Sequence, residues 1–300
     1  MGLPMAHRIV KAGIETYTTF HRRREPADEL ARAGAKIVGS PAEVARAADV
    51  VITIVPADAE LIETVCRANG VAESFSPGKV LIDMTTSTPN TMVEVERAIS
   101  GAGGRVLDAP VSGGTTGAIA GSLTIMVGGD AGLLEEQRPL LQHMGTRIVH
   151  VGAVGQGKVV KIINQMMAAI HLLTMGEAFA LGVRCGADPN TMYDVIKESS
   201  GHSKMMDLRL RDFLLAGSFE PGFKLDLMKK DVQLAMDAGR AQGVPLLLTS
   251  LASQVFSAAS LAGHGGEDFS AAAQFLAGLG AVRLDEQSRH IDELQRSPDI

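Results

Sequence analysis

The chain has 300 residues, 46% of them apolar, and a formal net charge of −6. That length allows one large domain or two smaller ones, each with enough apolar side chains for a core. The acidic balance gives no reason to expect nucleic acid or a membrane surface as a partner, and the scattered histidines form no metal-binding pair.

The two cysteines, Cys66 and Cys185, lie far apart. They predict free thiols in a reducing compartment, hence a cytoplasmic protein. No run reads as an uninterrupted transmembrane helix, and the first residues do not read as a signal peptide.

In chain order, residues 3–12 read as a helix with no strand before it. Strands are expected at 16–20, 35–38, 50–55, 80–83 and 106–108. Helices are expected between them, at 26–33, 41–48, 59–66 and 89–102. Strands such as Val50-Val51-Ile52-Thr53-Ile54-Val55 are apolar almost throughout, which predicts a parallel sheet covered on both faces. In such sheets ligands lie at the carboxyl ends of the strands. Here those ends carry Arg22, Val55-Pro56 and Thr85-Thr86.

Arg22, Arg23 and Arg24 follow the strand that ends at the adenosine ribose in a dinucleotide fold. An acidic residue there suits NAD. Arginine suits the additional phosphate of NADP, because its planar fork donates bidentately. A solvated basic turn is the other reading. A nucleotide domain should open on a strand and Gly-x-Gly-x-x-Gly. Only Gly2 stands before the first helix, so the first strand and the start of the glycine-rich loop are expected to be missing from this sequence.

Asp108 to Ala118 and Gly121 to Gly129 are dense in glycine. Glycine lets backbone N–H groups approach an anion, and Ser112 could add a hydroxyl. The plainer reading is a pair of turns around a strand at 123–127. Helix 133–144 and strand 147–151 lead to the central segment.

From Gln156 to Arg184 no proline interrupts a run rich in Leu, Met, Ala and Ile. This predicts a long helix, buried on most sides. Lys161 and Asn164 stand three apart on one face. Either Lys161 snorkels to water or it lines a cleft as a proton donor or anion anchor, with Asn164 orienting the same ligand. Lys158, one turn earlier, is either the charge that matters or an exposed neighbour. Beyond it only helices are expected, at 189–198, 204–215, 224–242, 245–262 and 269–278. A polar, exposed tail is expected from Ala281 onward. The chain thus divides into an α/β half read as a Rossmann-type dinucleotide-binding domain, 1–152, an all-α half, 153–280, and the tail, 281–300. The central helix forms a spine whose N-terminal end faces the cleft.

With these segments placed, the chain resembles the β-hydroxyacid dehydrogenase family, which includes 3-hydroxyisobutyrate dehydrogenase and tartronate semialdehyde reductase. The match runs to about Gly278. Asp108-Ala-Pro-Val-Ser-Gly-Gly114 resembles the family's substrate-binding motif, and Gly155-x-Gly157-x-x-x-Lys161-x-x-Asn164 its catalytic motif. Lys230-Asp231 resembles a later Lys-Asp pair. Asp83 to Pro89 resembles the loop whose hydroxyl meets the nicotinamide ribose, and Gly2-Leu3-Pro4-Met5-Ala6 resembles the end of the nucleotide motif.

The resemblance implies hydride transfer between NADP, or NAD, and a small β-hydroxyacid or its semialdehyde. Lys161 would be general acid/base, its pKa lowered by partial burial and by cations such as Lys230. Asn164 would donate to substrate oxygen. Ser112, Gly113, Gly114 and Lys230 would hold the substrate. Gly2, Leu3, Arg22, Arg23, Val55, Pro56, Thr86, Lys230 and Asp231 would meet the cofactor. A homodimer or homotetramer is implied, and Met205, Met206, Leu208 and Phe223 either shape the pocket or belong to plain core. Two other readings stay open: an impaired member serving as an oligomeric scaffold, and a reductase of another carbonyl or imine.

Overall fold

The computed structural model describes residues 1–285; the remainder of the expected tail lies outside the described residues. The chain parts into two compact units, Met1–Ile162 and the residues from Ile163 on.

Within the first unit, α1 (Gly2–Lys11), β1 (Tyr17–Thr18), α2 (Glu25–Arg32), β2 (Lys36–Ile37), α3 (Pro41–Ala47), β3 (Val50–Thr53) and α4 (Asp58–Cys66) alternate. A short 3-10 turn, Val71–Ser74, precedes β4 (Val80–Asp83), α5 (Pro89–Gly101) and β5 (Arg105–Asp108). Several helices start where the sequence supplies a cap. Ser40, Thr88 and Asp130 each accept the backbone N–H three residues on, and proline sits in the first turn of α3 and α5.

β1 and β2 form a parallel pair of their own. The main sheet runs β3-β4-β5-β7-β6, with β8 on β7. Alternate residues feed opposite faces: Val80 and Ile82 join one apolar cluster, Leu81 the other. Both faces are therefore covered, as expected, but the sheet is mixed rather than parallel. β6 (Val111–Ser112) and β7 (Leu123–Gly129) are joined by α6 (Gly114–Ala120), and β7 runs antiparallel to both β5 and β6. The sequence reading has only turns where α6 stands. Glycine hides a helix from propensity, yet Gly121 at φ 69° ends α6 in the usual left-handed way. α7 (Ala131–Leu141) and β8 (Gly145–Gly152) lead to α8 (Gln156–Arg184).

α8 is 29 residues long and apolar enough to cross a membrane, contrary to the sequence reading. The same composition serves a core helix. Ala169, Leu172, Met175 and Phe179 of α8 join the core of the second unit, with Phe256 and Met228. That unit adds α9 (Pro189–Lys197), α10 (Lys204–Arg209), a wider π-type turn (Leu210–Leu215), α11 (Leu225–Ala241), α12 (Leu247–Leu261), a 3-10 turn (His264–Gly266) and α13 (Ala271–Leu279). Asp188 caps α9 through Thr191 N–H, as its position predicts. The expected tail begins too early: Val282 and Leu284 are buried in this core, because the two apolar side chains alternate with Arg283.

Candidate active site

Three buried charges meet at the carboxyl ends of β4 and β5. Asp83 ends β4 and Asp108 ends β5, side by side in register. Lys158, in the first turn of α8, is fully buried with them. Its ammonium donates to Asp83 Oδ2 at 2.5 Å, to Asp83 O at 3.0 Å and to Thr85 O at 2.7 Å. All three N–H groups are used. Asp83 Oδ1 accepts from the Thr53 hydroxyl at 2.7 Å. Lys158 is thus not an exposed neighbour: an ammonium taken from water needs this full set of acceptors.

Asp108 caps α8 from another strand. Its Oδ1 accepts Gly155 N–H at 2.8 Å, and its Oδ2 accepts Lys158 N–H at 2.9 Å. Two N–H groups that a helix start leaves unpaired are thereby satisfied, and a carboxylate lies at the positive end of the helix. The glycines make room. A Cβ on Gly157 would lie 2.6 Å from both Asp108 Oδ2 and Met126 O, and one on Gly128 would lie 2.3 Å from Asp108 Oδ1. Burial pushes the Asp108 carboxyl above its ordinary pKa. The Lys158 charge and the two N–H bonds act against the rise, and Asp83 adds to it.

In the first unit, two of the loops assigned to a cofactor are bonded to this cluster. Val55 and Pro56 follow β3, and Thr86 follows β4. Val55 N–H donates to the Thr85 hydroxyl at 3.1 Å, tying the two loops together. Gly2 opens α1 against the end of β3, where a Cβ would stand 3.0 Å from Ile54, and Leu3 follows it in the first turn. Beyond β1, Arg22 and Arg23 are exposed, and Arg24 pairs with Asp28 at 3.1 Å. A helix start opened by glycine, an apolar ledge, a hydroxyl and exposed guanidinium groups suit the parts of a phosphorylated dinucleotide.

Lys161 lies one turn beyond Lys158 and is 7% exposed. Ser112 ends β6, and Gly113 and Gly114 adopt φ 136° and 64°, which only glycine takes easily. In the second unit, Asn164 donates to Gln165 Oε1 at 3.1 Å, and Gln165 Nε2 donates to Asp231 Oδ2 at 2.7 Å. Lys230 pairs with Asp231 at 3.1 Å. Met206 is buried core, Leu208 is largely exposed, and Phe223 meets Phe269 edge to face.

Sequence reasoning missed the roles of Asp83, Asp108 and Gln165, and left Lys158 open between the charge that matters and an exposed neighbour. A signal existed for the two aspartates: two apolar strands each end on one, and such carboxylates call for a cation.

The family model described as the NAD binding domain of 6-phosphogluconate dehydrogenase matches residues 1–152. The model described as NAD-binding of NADP-dependent 3-hydroxyisobutyrate dehydrogenase matches residues 155–276. These matches define an oxidoreductase with a nicotinamide dinucleotide cofactor. The chain is 38% identical to 2-(hydroxymethyl)glutarate dehydrogenase of Eubacterium barkeri, over 90% of each chain. It is 36% identical to L-threonate dehydrogenase of Cupriavidus necator, over 93% of this chain and 94% of the other. A solved structure of Mycobacterium tuberculosis 3-hydroxyisobutyrate dehydrogenase with L-serine superposes with a TM-score of 0.83 at 33% identity, covering 92% of this chain and 95% of that one. The chain belongs to the β-hydroxyacid dehydrogenase family, whose members are NAD(P)-dependent oxidoreductases of hydroxyacids.

Asp108 yields a test. Its raised pKa means the folded chain holds this proton more tightly than the unfolded chain does. The stability this contributes is fully present below the unfolded pKa and is lost as pH rises through the folded value. Asp108→Asn offers one acceptor where two N–H groups need one each, so it should cost about 1–3 kcal/mol near neutrality. It should also remove this carboxyl's share of the pH slope. Urea midpoints of both proteins across the acidic range check both effects; an unchanged midpoint and slope would contradict the capping role.

Proposed function

We propose that the chain is an NAD(P)-dependent 3-hydroxyacid dehydrogenase or reductase acting on a small β-hydroxyacid or its semialdehyde, of the 3-hydroxyisobutyrate or tartronate semialdehyde type. The observation that carries this reading is the placement of Lys161. It is a nearly buried lysine one turn beyond Lys158, whose ammonium bonds the loop after β4. The hydroxyacid activities named for the relatives of similar length support the substrate class.

Gly2, Leu3, Val55, Pro56 and Thr86 would hold the cofactor, with Lys230 and Asp231. Arg22 and Arg23 would take the additional phosphate of NADP; with NAD they would face only the ribose hydroxyl. When bound, the nicotinamide supplies or accepts the hydride at the substrate's carbinol carbon. Lys161 Nζ takes the hydroxyl proton on oxidation or returns it to the carbonyl oxygen on reduction. Asn164 donates to the same oxygen. Ser112 and the N–H groups of Gly113 and Gly114 hold the substrate carboxylate, with Lys230 as a further cation. In this reading residues 1–152 bind dinucleotide, and 153–280 serve substrate and oligomerisation. A homodimer or homotetramer fits the exposed leucines of α12, Leu247, Leu248 and Leu251, and the free thiols fit a cytoplasmic location.

Lys161→Ala should lower kcat on 3-hydroxyisobutyrate by about 100- to 10,000-fold. Steady-state nicotinamide absorbance reads the loss, and near wild-type turnover would rule out the acid/base role. Replacing Arg22 and Arg23 together by alanine should weaken NADPH binding more than NADH binding in a fluorescence titration. Equal losses would remove the case for NADP.

A further inference from the structure

We propose that Lys158 is a positioning residue: its ammonium sets the cofactor-side loops after β3 and β4 in register with the turn of α8 that carries Lys161. The inference rests on the dehydrogenase reading for its kinetic consequence and on geometry alone for the clamp. Thr53, Asp83, Thr85, Asp108 and Lys158 are all buried. Through them one hydrogen-bonded path links three segments far apart in sequence. Val55 N–H donates to the Thr85 hydroxyl, and Thr85 O accepts from Lys158 Nζ. Lys158 N–H is held in turn by Asp108 at the end of β5. The loop bearing Val55 and Pro56, the loop bearing Thr86 and the first turn of α8 therefore cannot shift independently.

A helix start needs a cap, and Asp108 already supplies it. The side chain of Lys158 therefore does something further: it fixes where that helix start sits relative to two loops. Its three acceptors belong to Asp83 and Thr85, so the positive charge pulls the β4 loop onto α8 rather than onto solvent. Misplacing reacting groups by an ångström costs about 100-fold in rate, so a loosened register should appear in the chemical step.

The test compares Lys158→Met and the milder Asp83→Asn with the wild-type full chain. Hydrogen exchange by mass spectrometry should show residues 84–91 and 156–162 loosening together, at least about tenfold for Lys158→Met and less for Asp83→Asn. With 3-hydroxyisobutyrate, kcat per folded enzyme should fall about 10- to 100-fold while KM stays within about threefold. The kinetic isotope effect from deuterium on the carbinol carbon should rise as hydride transfer becomes limiting. If Lys158→Met does not fold, Asp83→Asn decides by the same readouts. The proposal is overturned if kcat falls only with the folded fraction and the isotope effect stays put. It is equally overturned if loosening is confined to 156–162. A wild-type chain that turns over none of the hydroxyacids would sink the proposed function, and the exchange data would still decide the clamp.

Discussion

One buried ammonium sets the terms for the first unit. Lys158 gives up water completely and recovers three acceptors, all from the last residue of β4 and from Thr85, two residues beyond it. Removing one partner of such a pair leaves an uncompensated buried charge, typically a loss of about 3–5 kcal/mol. The surroundings are fitted to that constraint. Asp108 holds the helix start in place, and Gly157 and Gly128 leave no Cβ where the helix meets the strands. In the Gly155-x-Gly157 motif, Gly157 therefore has a packing reason and Gly155, at φ 92°, a backbone reason, both independent of any ligand.

The second unit fixes its polar residues by a different logic. A carboxylate only accepts, so Asp231 turns the NH2 of Gln165 toward itself. Gln165 is then left with Oε1 to offer, and Asn164 must present its own NH2 to it. The orientation of the Asn164 amide is thus set two residues away along a hydrogen-bonded chain. In the proposed function its second N–H is the donor to the substrate oxygen.

Much of this was legible in the sequence, for physical reasons. A short apolar run such as Val80-Leu81-Ile82, set off by Pro77-Gly78, favours a buried strand. A long segment of leucine, methionine and alanine without proline favours a long helix. Lysine in that helix had to answer for its charge. The sequence did not say which lysine answers to which acid, because Asp83 and Lys158 are 75 residues apart and meet only through the sheet register. The short helix α6 was hidden by its glycines. The antiparallel turn of β7 was hidden because a buried strand reads alike in either direction. Gln165 was overlooked because a glutamine beside an asparagine carries no periodicity of its own.

Central to the account is hydride transfer to a small carbonyl acid. It is tested most directly by incubating the chain with tartronate semialdehyde and NADPH deuterated at one or the other face of the nicotinamide C4. The product is then weighed by mass spectrometry. The account predicts that one face delivers a single deuterium to the carbinol carbon of the hydroxyacid and the other leaves it light. A hydroxyacid without deuterium from either face, or no reduction either of this semialdehyde or of the one that corresponds to 3-hydroxyisobutyrate, would contradict it.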